Sequence, residues 1–136
     1  MTAILQPPSP PAAPPAERVL TPAGIRLLGA AMVGLFALSV SLTPAPDGPE
    51  PVLSAGEEII ATVMTWGMAA ALVGFLLGRR WALWPALGIS ALSAVDVGLC
   101  PATGHHLVGM WWFGQVVIAA VLLALPAAAL ARTRAG

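Results

Sequence analysis

IIATVMTWGMAAALVGFLLGRRWALWPALGISALSAVDVGL, residues 59–99, decides the fold of this chain. Two apolar runs, 59–77 and 81–99, flank Gly78-Arg79-Arg80, and each approaches the roughly 20 residues that carry an α-helix across a roughly 30 Å hydrocarbon core. Outward from this pair, further apolar runs occupy 27–42 and 107–131. The first is the shortest, and it becomes adequate when Ile25 joins it and Arg26 snorkels toward the headgroups. Period-two alternation is absent and Ala, Leu, Gly and Val dominate, which argues against barrel strands. Helices are the remaining way to satisfy every backbone polar group in lipid. The sequence therefore predicts an all-α integral membrane bundle of four transmembrane helices, at about 22–43, 55–78, 81–99 and 104–131. This domain, 21–136, follows a Pro-rich tail over 1–20 that reads as disordered or polyproline-like.

Composition agrees. With 58% hydrophobic residues, 9% charged residues and a mean hydropathy of +0.87, the 136-residue chain has too few charges to coat a globule in water. Lys and Tyr are missing while Ala, Gly, Pro and Arg abound, a bias that fits a GC-rich bacterial genome and hence a cell inner membrane. A formal net charge of zero without a basic patch argues against a nucleic-acid partner. The exposed loops are too short to build a separate catalytic domain, so an enzyme is not expected.

The arginines orient the helices. Short basic loops resist translocation, so Lys and Arg mark the cytoplasmic side. Arg18 and Arg26 precede the first helix, Arg79 and Arg80 separate the second and third, and Arg132 and Arg134 end the fourth. All six fall on one side of a four-pass model, which places both termini in the cytoplasm. The opposite loops carry Asp47, Glu50, Glu57 and Glu58 in one case and His105 and His106 in the other. A cleaved signal peptide ending at Thr43-Pro44-Ala45 is the rival reading of the first run. Pro46 after the cut and the long Pro-rich leader speak against it.

Helix signals refine the boundaries. Thr21-Pro22 reads as an N-cap with proline at the first helical position, and Ser54 to Glu57 as a capping box. Thr103 is placed to cap the fourth helix, after a tight turn at 101–104 that Pro101 opens. Pro85 lies in a first turn, whereas Pro126 is expected to kink or loosen its helix. Small residues recur at i, i+4 as Ala82, Ala86, Ser90, Ala94 and Gly98, as Gly74 and Gly78, and as Ala120, Ala124 and Ala128. Such ridges let backbones approach, within the chain or across a homo- or hetero-oligomer. A gapped similarity between 26–60 and 80–108 is compatible with two tandem helical hairpins or with chance likeness of Ala-rich helices.

Chemistry, if present, lies between Ser93 and Gln115, because polar groups in or near lipid are expensive. Ser93, Asp96 and Cys100 share a helix face, and the turn returns the chain to His105 and His106. Asp96, Cys100, His105 and His106 form a candidate ligand set for a transition metal, or for haem, with Glu57 and Glu58 nearby on the same outer surface. No diagnostic metal motif accompanies them. The alternative is plain: interfacial histidines are hydrated, Asp96 reaches water, and the glutamates complement a helix dipole. Trp81, Trp84, Trp111 and Trp112 suit interfacial anchors, and Gln115 a hydrogen bond to a neighbouring helix. Three functions follow: an accessory or interaction subunit, an outer-face metal or haem protein, and a small proton-coupled carrier using Asp96.

Overall fold

The computed structural model of the protein describes residues 20–44, 54–103 and 109–134. They form α1 (Pro22–Leu42), α2 (Ala55–Leu76), a single 3-10 turn (Arg80–Ala82), α3 (Leu83–Thr103) and α4 (Met110–Arg134). All four α-helices are long and apolar enough to cross a membrane.

Local chemistry starts and stops them. Thr21 accepts the Gly24 N–H at 3.1 Å, and Pro22 occupies a position where no intrahelical N–H is needed. At α2, the Glu57 carboxylate accepts both the N–H and the hydroxyl of Ser54 at 2.7 Å, while the Ser54 oxygen accepts the Glu57 N–H at 3.4 Å. The helix ends on Gly78 with φ of 65°, a left-handed conformation that glycine adopts without strain. There Arg79 N–H donates to Gly74 O at 2.8 Å and Gly78 N–H to Phe75 O at 2.9 Å, closing a Schellman turn. The next carbonyl, Leu76 O, accepts the Arg26 Nε at 3.0 Å, so a cation from α1 completes the C-terminus of α2.

Sequential helices run antiparallel and α4 closes back on α1, giving a ring in which each helix touches two neighbours. At one end Gly29 lies under the Phe75 ring, and a Cβ there would come within 2.5 Å of Phe75 Cγ. At the other end Gly114 of α4 approaches Leu42 of α1. Ile25, Phe75, Leu83, Ile89, Ile118 and Leu122 fill the interior. The α3 ridge serves this packing over its first half: Ala82, Ala86 and Ser90 are buried in their own chain, with Ala82 set against Gly74. Ala94 is half-buried and Gly98 exposed, while Ala120, Ala124 and Ala128 of α4 all face outward.

The far end of α3 differs from the sequence expectation. No turn opens at Pro101; the helix continues to Thr103, which therefore ends α3 rather than capping α4, and α4 begins only at Met110. Proline lacks the N–H that would reach the carbonyl four residues back, here Val97 O. Trp112 Nε1 of α4 donates to that same oxygen at 3.0 Å. The neighbouring helix thus satisfies the acceptor that Pro101 frees, and the helix passes through. α4 likewise continues past Pro126, which is fully buried.

Candidate functional site

The end of the bundle opposite the arginine-bearing turn gathers the described acidic residues. Glu57 and Glu58 open α2, where the backbone N–H groups and the helix dipole favour negative charge. Glu57 is held by Ser54 in the capping box, and Glu58 is exposed. On α3, Asp96 is exposed, one turn before the backbone of Cys100. Because α3 remains helical through both positions, they keep the i, i+4 spacing that puts residues over one another on a helix face. Ser93, one turn earlier, is half-buried, and its hydroxyl is shielded without a hydrogen-bond partner among the described residues. His105 and His106 lie outside the described residues. Among those described, no three His, Cys, Asp or Glu side chains come together.

Two polar contacts at this end join helices. Gln115 is buried and donates through Nε2 to Ser39 O at 3.3 Å and to the Thr43 hydroxyl, which itself donates to Ser39 O at 3.2 Å. The hydrogen bond expected of Gln115 is therefore made across α4 and α1. Trp112 is half-buried against α3, with its ring edge-on to Phe113 at 5.2 Å and 72°. Its signal was available in the spacing, since a proline at 101 leaves the carbonyl at 97 in need of a donor.

The basic end is built differently. Arg26 on α1 and Arg79 and Arg80 in the α2–α3 turn are exposed, as is Arg132 near the close of α4. Trp81 and Trp84 lie beside them with 47% and 53% of their surface open, the exposure that an interfacial anchor needs.

Between the two ends the bundle contains an apolar cavity of about 30 Å³ whose wall presents no polar atoms. Ser90, the one hydroxyl beside it, donates to Ala86 O at 2.8 Å. Met32, Met68, Phe75 and Ile89 surround the space, and its exposed lining residues are Val33 of α1 and Leu72 of α2. Asp96 does not reach it, so no titratable group lines an internal path among the described residues.

Searches against protein-family models, curated proteins and solved structures find no match to this chain.

Proposed function

We propose that this protein is a non-enzymatic accessory subunit of an assembly in the cell inner membrane, inserted as a four-pass bundle with both termini in the cytoplasm. It attaches laterally, to another membrane protein or to a second copy. One observation carries the reading: Ala120, Ala124 and Ala128 stand at helical spacing on the outward face of α4, while the comparable ridge on α3 is buried inside the bundle over its first half. In lipid the hydrophobic drive between helices vanishes and close backbone approach supplies the attraction, so an outward small-residue ridge favours a partner helix. Crosslinking and pull-down from native membranes test it. Ala120→Leu with Ala124→Leu is expected to abolish the co-purifying complex while leaving the bundle intact, because both sites are exposed. A complex that survives the double substitution overturns the proposal, and a monodisperse preparation without detergent overturns insertion itself.

A metal-binding reading retains one supporting observation, the unbroken α3 that spaces Asp96 and Cys100 one turn apart. Its prediction is distinct: stoichiometric transition metal or haem on gently purified protein, lost when His105→Ala and His106→Ala are combined. Metal-free protein with an intact complex rejects it.

A further inference from the structure

We propose that the outer seam between α1 and α2 holds an anionic phospholipid, with its phosphate on Arg26 and one acyl chain lying over Val33 and Leu72, where a methylene or two reach into the apolar cavity. The proposal rests on the membrane insertion argued above and is independent of any protein partner.

Charge complementarity names the headgroup. Arg26 is exposed and bridges the two helices through its Nε bond to Leu76 O. That bond commits one of the guanidinium N–H donors and leaves the others for an oxygen-rich anion, which the planar fork suits. No carboxylate pairs with Arg26 among the described residues, whose acids, Glu57, Glu58 and Asp96, all belong to the other end of the bundle. Arg79 and Arg80 in the adjoining turn add positive potential there, and anionic lipids concentrate on the leaflet that such residues face.

Helix geometry joins that cation to the cavity. Val33 follows Arg26 by seven positions, which sets it on nearly the same face of α1 and about 10 Å deeper along the axis. Leu72 stands one turn before Leu76 on α2, so the seam runs from the Arg26–Leu76 bridge to Val33 and Leu72. Gly29 and Phe75 lie between those two points along the helices, and glycine's missing side chain lets the Phe75 ring lie against α1. Apolar cavities remain free of water, so hydrocarbon is what fills one that lipid reaches. Met32 and Met68 in the cavity wall are flexible enough to close around a chain.

Native mass spectrometry from detergent tests this with dioleoyl phosphatidylglycerol and dioleoyl phosphatidylcholine as probes. The intact protein is expected to retain one phosphatidylglycerol about fivefold better than phosphatidylcholine, the preference that one well-placed cation provides. Arg26→Gln removes that preference; Val33→Trp, which leaves Arg26 in place and occupies the path of the acyl chain, lowers retention of both lipids. Arg132→Gln, a cation at the same end of the bundle but on α4, changes neither. Equal retention of the two lipids by the intact protein overturns the proposal, as does an equal loss in Arg132→Gln, which marks diffuse surface charge. Displacement by inorganic phosphate alone overturns the acyl-chain half. Failure of membrane insertion would be seen separately, as solubility without detergent.

Discussion

Val97 O is an acceptor that its own helix cannot use, because Pro101 has no N–H to offer, and Trp112 Nε1 reaches it from α4 at 3.0 Å. An acceptor left unpaired away from water costs about 1–3 kcal/mol; Val97 O is part-buried, so Trp112→Phe is expected to destabilise the bundle by up to that order. The indole also fills space, and a double-mutant cycle separates the two contributions. Pro101→Ala restores an N–H to Val97 O; in that background Trp112→Phe should cost measurably less than in the parent. Thermal unfolding in detergent, followed by size-exclusion recovery, reads the difference. Equal losses in both backgrounds would show that the carbonyl plays no part. Gln115 acts on the same scale: Gln115→Leu removes the donor shared by Ser39 O and Thr43, and a loss of about 0.6–2 kcal/mol is expected for an interhelical hydrogen bond in lipid. The same unfolding measurement checks it, and stability equal to the parent would assign Gln115 to shape alone.

At the scale of helices, glycines of the same kind do different things. A Cβ on Gly29 would collide with Phe75, whereas one on Gly34 meets nothing within 4 Å. Gly29→Val is therefore expected to lose about 1–3 kcal/mol or more through overpacking, and Gly34→Val to lose little beyond helix propensity. Comparable losses at the two sites would mean that α1 does not approach α2 as described. Gly78→Ala adds a third case, because φ of 65° penalises a side chain by about 1–2 kcal/mol and Pro22 lies against the same position. A Gly78→Ala protein as heat-resistant as the parent would contradict it. The four helices were readable from length and apolarity, and the caps at Thr21 and Ser54 from single residues. The faces were not. These helices are apolar around most of their circumference, so periodicity marks no core side, and the ridges Ala82–Ala86–Ser90 and Ala120–Ala124–Ala128 look alike until packing buries one and exposes the other. The end of α3 was not legible either, because the donor that reaches the carbonyl freed by Pro101 lies on another helix. Of the candidate site, Asp96 and the helix that bears Cys100 could be placed, but their relation to His105 and His106 falls outside the described residues.

Under the proposed insertion, the arrangement of charge across the whole molecule is what would set its orientation. Antiparallel packing brings Arg26, the Arg79-Arg80 turn and Arg132 to one end, with Glu57, Glu58 and Asp96 belonging to the other. Arg26 is additionally tied to Leu76 O, so flipping the α1–α2 hairpin would carry three guanidinium groups across the bilayer together. A guanidinium costs roughly 2.5–3.5 kcal/mol when it stands at the centre of a membrane helix, the kind of penalty that the proposed orientation avoids. In a Cys100→Ala background, Ala55→Cys is expected to react with a membrane-impermeant maleimide in cells whose outer barrier alone is opened. Leu77→Cys, exposed at the arginine end, should react only after the inner membrane is breached. Both substitutions leave the arginines in place, so the orienting charges are undisturbed by the probe. Reaction of Leu77→Cys from outside, with Ala55→Cys protected, would invert the assignment and move the Arg26 lipid site to the other leaflet. Reaction of both positions from outside would mean that α2 does not cross the bilayer at all.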